Sequence, residues 1–165
     1  MDFLPPAFEA LDAYHQFILY KLVPSVSRPG KTDKFPLNHR TGIKHSAHDP
    51  EIWMTSSEAI AVAKKHGKNH GVGFVFTEKD PFFFVDIDDC LEFDVDVEGK
   101  QNNHRWSKTA LMLLQNLQGA SVEVSSSGKG LHIIGSGCAP EHTCKNIPLK
   151  LEFYTSGRFV ALTAI

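Results

Sequence analysis

Asp86 and Asp88 stand one residue apart at the end of an apolar run, FFFVDIDDC, residues 82–90. An ionised carboxylate in such a setting is costly to desolvate unless a positive charge compensates it. Either the run ends there and the aspartates open a loop, or a cation meets their charge. Side chains alternate faces along a strand, so Phe83, Val85 and Ile87 share one face, while Phe82, Phe84, Asp86 and Asp88 share the other. Two carboxylates spaced about 6.6 Å by strand rise can converge on one hard divalent cation or flank two. Turn aspartates after a strand are common too, and this motif alone leaves both readings open.

Two more stretches carry groups that suit the first reading. SSSGKGLHII (125–134) is a Ser/Gly turn running into a strand. Gly128 and Gly130 permit backbone conformations in which successive N–H groups point at an anion. Lys129 adds charge there, and the serine hydroxyls add donors. On the strand, His132 faces away from Leu131 and Ile133; a lone His in an apolar strand is usually a satisfied core residue, but this one follows an anion-cradle-like turn. In LKLEFY (149–154), Leu149, Leu151 and Phe153 are expected to face the core, with Lys150, Glu152 and Tyr154 opposite. An exposed strand Glu is the bland reading of Glu152. Gly157 and Arg158 then form a turn whose guanidinium can bind a phosphate in bidentate fashion. Carboxylates for metals, with backbone, His and Arg for phosphates, make up the kit for a metal-bound triphosphate.

The elements that must position these groups follow from pattern. Residues 7–13 suit a short helix and HQFILYKL (15–22) a first strand. From Val23 to Pro50 repeated Pro and Gly predict a loop. It holds much of the positive charge, in Arg28, Lys31, Lys34, Arg40 and Lys44, with His39, His45 and His48 among them, and reads equally as a solvated surface or a phosphate-contacting segment. Thr55 to Glu58 form a capping box, which predicts a helix from about Ser56 to His66 ending at Gly67. GVGFVFT (71–77) is a strand, followed after a turn by the FFFVDID run. Asp94, Asp96 and Glu98, with Gly99 and Asn102, read as an acidic surface excursion. Trp106, Ala110, Leu113, Leu114 and Leu117 fall at helical spacing, with Gly119 placed to end that helix. Strands at 122–126 and 131–135, then LKLEFYT and RFVALT, close the chain. The order is mixed α/β, with strands pairing across short turns.

At 165 residues, 42% of them hydrophobic and 22% charged, the chain suits one folded domain or a compact unit of two small lobes. Seventeen basic against 19 acidic residues exclude a strongly basic nucleic-acid coat, though not a local basic groove. The N-terminus carries no secretion signal and no apolar run is long enough to span a bilayer. Three cysteines, an odd count, favour reduced thiols and a cytoplasmic setting. The final RFVALTAI stops in an apolar, β-rich run, as in a piece cut from a longer polypeptide.

With these motifs assembled, the chain resembles the bifunctional primase-polymerases of phages and plasmids, in the archaeo-eukaryotic primase superfamily. GVGFVFTEKDPFFFVDID is similar to that family's GhGhVh…DPhhhhDhD block, SSGKGLH to its SxGxGhH motif, and LEFYTSGRF to its hE-hY-xxGR-[FY] motif. KTDKFPLNHRTG followed by HDPEIWMTSSEA resembles its lead-in. Four such matches in order and spacing are specific together, and they cover the chain from the first strand onward. The departures are Thr163-Ala164, where many relatives have Thr-Gly, and Glu51-Ile52, where a hydroxyl residue would precede Trp53.

The resemblance implies a small mixed α/β unit joined to an RRM-like unit, with the active site between them. It implies that Asp86, Asp88 and Glu152 bind two Mg²⁺ or Mn²⁺ ions, and that His132 contacts the phosphates of a dNTP or NTP. Arg158, with Ser127, Lys129 and Gly130, would belong to the nucleotide or template site. The implied partners are single-stranded DNA template, primer and a replicative helicase on the same or an interacting chain; relatives carry a helical lobe after this core.

Cys138, His142 and Cys144 form a C-x3-H-x-C cluster in an interval where some relatives carry a zinc-binding stem, but the spacing matches no common zinc module, and a loop is expected. Two other functions compete. A metal-dependent nuclease or nicking enzyme would need a nucleophile, for which Tyr154 is the nearby candidate. A non-catalytic RRM-like module would show aromatics, not acids, on its sheet face.

Overall fold

A computed structural model of the chain describes residues 2–95, 98 and 101–163, with the backbone alone at 95, 101 and 102. The described residues divide into two compact units, those of 2–80 with 156–163, and those within 81–155.

The first unit opens with a 3-10 helix, Pro6–Ala13, where a short helix was expected. Strand β1 (Phe17–Pro24) pairs antiparallel with β2 (Thr32–Leu37) and with β3 (His70–Phe76). The chain returns from the second unit as β11 (Arg158–Ala161), which completes a sheet in the order β11-β3-β1-β2. Strand β2 corrects the loop expected from Val23 to Pro50. Its Pro36 sits on the edge strand, where a missing N–H breaks no interior ladder. Helix α1 (Ser56–His66) starts and stops where the sequence predicts. Thr55 Oγ1 accepts from Glu58 N at 3.2 Å, and Glu58 Oε2 accepts from Thr55 N at 2.9 Å. Gly67 ends the helix at φ 75°, a conformation that suits glycine. A second 3-10 turn, Pro50–Ile52, is capped by Asp49, and Trp53 donates its indole N–H to Ala47 O at 2.7 Å. Ile18, Ala47, Ile52 and Val75 form one buried cluster of this unit, with Trp53 and Phe159 against it.

The second unit contains β4 (Phe82–Ile87), β5 (Leu91–Val95), β6 (Gln101–Trp106), α2 (Lys108–Asn116), β7 (Ser121–Val124), β8 (Leu131–Ser136), β9 (Lys145–Asn146) and β10 (Leu151–Tyr154). Five of the strands form an antiparallel sheet in the order β7-β8-β4-β10-β9. The order β7-β8-β4-β10, with α2 between β4 and β7, is that of the ferredoxin-like β-α-β-β-α-β arrangement on which RRM units are built. Residues 137–150 take the place of its second helix and contain only β9. Helix α2 is capped by Ser107, which accepts from Ala110 N at 3.3 Å. Its Ala110, Leu113 and Leu114 pack with Val85, Ile87, Leu131 and Ile133. One face of the sheet is therefore apolar and covered by α2, and the polar groups are left to the other.

The expected acidic excursion is a hairpin instead, β5 paired with β6. Arg105 meets Glu92 at 3.4 Å across it; Asp and Asn, poor strand formers, hid these strands from the sequence. Asp94 and Glu98 are exposed, while Asp96 and Gly99 lie outside the described residues.

Candidate active site

Register decides which side chains meet. Glu123 on β7 is opposite His132 on β8, His132 is opposite Asp86 on β4, Asp86 is opposite Glu152 on β10, and Glu152 is opposite Lys145 on β9. Five charged or titratable residues thus form one row across the whole sheet, on the face away from α2. Neighbouring antiparallel positions lie about 4.5–5.5 Å apart, so each side chain can reach the next.

The contacts follow the row. His132 Nδ1 lies 2.7 Å from Glu123 Oε1, and its Nε2 lies 3.8 Å from Asp86 Oδ1. The ring also stands edge-on to Phe84, with centroids 5.2 Å apart. His132 and Glu123 are both buried. At the other end, Glu152 accepts from Lys145 Nζ at 2.6 Å and from the Tyr154 hydroxyl at 2.8 Å. Asp86 and Glu152 are half-buried, with side chains 20% and 21% exposed, so the middle of the row is open to a ligand while its Glu123 end is closed.

Asp88 is not a strand residue. Strand β4 ends at Ile87, and Asp88 starts the turn, although its N–H still bonds to Lys150 O at 3.0 Å. Its exposed carboxylate lines a pocket of about 210 Å³ with Asp89, Lys145, Lys150 and Glu152. Asp89 takes φ 49° and is the turn residue expected after the run. Beside it Cys90 is buried; desolvation pushes its thiol up, and the charges of Asp86 and Asp88 push the same way. That thiol is a core group.

The Ser/Gly segment is the loop of the β7–β8 hairpin, closed by Ser125 N donating to Gly130 O at 2.9 Å. Its amides are largely used inside the turn, which corrects the cradle expected of them. Gly128 N donates to Ser125 O, Lys129 N to Ser127 Oγ and Gly130 N to Ser125 Oγ, at 2.8, 3.2 and 3.1 Å. What this loop presents is the exposed side chains of Ser127 and Lys129. It is fastened to the end of β4, since Leu91 N donates to Lys129 O at 2.9 Å. A Cβ at Gly130 would come within 2.8 Å of Ile87 O, so glycine is what allows this approach. Arg158 opens β11 of the first unit, opposite Phe76, and is not part of the row.

Leu149 departs from expectation: it is 47% exposed, in the turn before β10, and Lys150 takes φ 50° there. Leu151 and Phe153 do pack on the core as their alternation predicts. Two basic residues of the segment read either as solvated surface or as phosphate-contacting are tied down, Arg28 to Asp33 at 2.6 Å and Lys44 over the Phe35 ring at 4.2 Å. Among the described residues no group of three or more His, Cys, Asp or Glu stands close enough to hold a metal, neither at Asp86, Asp88 and Glu152 nor at Cys138, His142 and Cys144. In the first case Asp86 and Glu152 face each other across the strands, and Glu152 is engaged by Lys145 and Tyr154.

Over 162 residues, 96% of its length, the chain is 33% identical to the DNA primase-polymerase of Nitratiruptor phage NrS-1. The similarity runs along nearly the whole of this chain. It spans 20% of that relative's length. No family profile matches it. Within the second unit two residues of the row escaped the motif reading, Glu123 and Lys145. Glu123 was findable: closing the SSSGKG turn on Ser125 and Gly130 and counting back pairs Glu123 with His132. Lys145 was not, because nothing local marks LysAsn (145–146) as a strand.

Proposed function

We propose that this chain is the catalytic core of a template-directed DNA primase-polymerase of the archaeo-eukaryotic primase type, acting in phage or plasmid replication. It joins dNTP or NTP units to the 3′-hydroxyl of a primer on single-stranded DNA, with a replicative helicase on the same or an interacting chain. The observation that carries this reading is the row itself, which sets Asp86 between His132 and Glu152 on one open sheet face. The similarity to a phage primase-polymerase supports it.

Asp86, Asp88 and Glu152 offer oxygen donors only, the set that suits Mg²⁺ or Mn²⁺. Asp86 and Glu152 start from facing positions, and Asp88 follows at the strand end. To join them, Glu152 has to turn off Lys145. These three carboxylates would hold divalent ions, whose charge would offset that developing at the α-phosphate and on the leaving pyrophosphate. The 3′-oxygen forms its bond to the α-phosphorus as the bond to pyrophosphate breaks. His132, Lys129 and the Ser127 hydroxyl bind and orient the phosphates, while Gly130 holds the loop close to β4. Tyr154, which a nicking enzyme would use as nucleophile, is buried and donates to Glu152. The row of acids, unlike exposed aromatics, would repel a bare nucleic-acid strand.

The test is extension of a labelled DNA primer on a template with dNTPs and Mg²⁺ or Mn²⁺. Metal-dependent extension is expected, falling roughly 10²–10³-fold or more in both Asp86→Ala and Asp88→Ala. Primer shortening, or extension undiminished in both variants, would overturn the reading.

A further inference from the structure

Glu123 is 2% exposed, on the edge strand β7, with its carboxylate on the imidazole of His132. A buried ion or charge-assisted pair is weak evidence of a stability device, because a well-packed apolar residue of similar size often does as well. The geometry points to another use. A carboxylate only accepts hydrogen bonds when ionised, so Glu123 fixes a hydrogen on Nδ1 of His132 and leaves Nε2 as the nitrogen turned toward Asp86 and the open part of the row. Phe84 packs edge-on against the ring, with centroids 5.2 Å apart. Carboxylates that hold an imidazole in this way set both its tautomer and its orientation.

We propose that Glu123 is a positioning residue for nucleotide binding: by accepting from Nδ1–H it fixes the orientation of the His132 ring, so that Nε2, carrying a proton when the triphosphate is bound, donates to a phosphate oxygen beside Asp86. This rests on the primase-polymerase reading above. The same hairpin carries Ser127 and Lys129, so the strand that places Glu123 also places the loop next to the phosphates.

The test compares the 165-residue protein with Glu123→Leu and Glu123→Gln. Long-range ¹⁵N–¹H correlation of the metal-free wild type near neutral pH is expected to show His132 carrying hydrogen on Nδ1. In Glu123→Leu that signature is expected to disperse, and the KM for dNTP to rise roughly ten-fold or more with a smaller change in kcat. Glu123→Gln, whose carbonyl can still accept from Nδ1, is expected to restore both. A purely structural Glu123 would instead move the melting temperature and leave KM alone. A wild-type His132 with hydrogen only on Nε2 overturns the proposal, and this readout needs no variant to fold. Equal KM in wild type and Glu123→Leu overturns it while leaving the polymerase reading in place. A wild type that neither binds dNTP nor extends primers overturns both.

Discussion

Strand β3 of the first unit and β4 of the second are both Phe- and Val-rich, and both lie inside their sheets. In β3 the side chains of Val72, Phe74, Val75 and Phe76 are all buried. In β4 one interior position is Asp86, with a His strand on one side and a Glu strand on the other. The two units therefore treat charge differently. The first keeps acids at element ends, where backbone N–H groups satisfy them, as at Asp49 and Glu58. The second places Asp86 in mid-sheet, between side chains of the neighbouring strands. The first arrangement helps the fold at little desolvation cost. The second is hard to justify by stability and makes sense as a binding surface.

The largest consequence of that difference is the loss of extension in Asp86→Ala and Asp88→Ala. Next comes backbone fit. Gly130→Ala would drive a Cβ against Ile87 O at 2.8 Å, a main-chain atom that cannot step aside. It is expected to destabilise the second unit by about 1–3 kcal/mol and to weaken nucleotide binding with it. Gly71→Ala in the first unit would meet the Tyr20 ring, a side chain, at 2.4–2.8 Å. Denaturant melts of the two variants compare them directly, and a smaller loss for Gly130→Ala would reverse the contrast.

Lys145→Met sharpens the picture of the second unit. Removing the ammonium that Glu152 accepts from is expected to lower the half-saturating Mn²⁺ concentration by up to about five-fold, the worth of a largely exposed ion pair of ~1 kcal/mol. A raised requirement for Mn²⁺ would mean that Lys145 supports the site and does not compete for it.

The smallest effects belong to the first unit. A hydrogen bond from His45, then one from Glu51 N, holds Asp49 below its ordinary value of 3.8. The Thr55 amide and hydroxyl hold Glu58 below 4.5. With folded values depressed, both groups stabilise the fold fully above the ordinary carboxylate range and lose that contribution as pH falls through it toward the folded values. Trp53 fluorescence in a Trp106→Phe background should report a first unit that weakens slightly on acidification below about pH 4.5. Thr55→Ala should cost about 1 kcal/mol at neutral pH; an acid response unchanged by Thr55→Ala would separate Glu58 from the effect.

Where local chemistry fixes an element, the sequence was legible. The capping box and Gly67 bound α1 to the residue, and alternation assigned Val85 and Ile87 to one face and Asp86 to the other. Where position within a sheet decides, it was not. Pro36 looks like a breaker until β2 is known to be an edge, and Leu149 looks like core until Lys150 turns the chain. The site residues could be named from motifs, yet their order across the sheet depends on registers between strands up to 66 residues apart, such as Asp86 with Glu152. The use of the loop amides within the turn was likewise invisible, because Ser125 and Ser127 look the same whether they bind a ligand or their own backbone.

The central claim is that the row across the second unit binds metal and nucleotide. Crystals grown with Mn²⁺ and a non-hydrolysable dNTP, with the metal located by its anomalous scattering, test it most directly. The account predicts a Mn²⁺ peak about 2–2.5 Å from carboxylate oxygens of Asp86 and Glu152, with Glu152 turned away from Lys145 and a phosphate oxygen at His132 Nε2. Manganese bound elsewhere, with the Glu152–Lys145 pair intact, would contradict it.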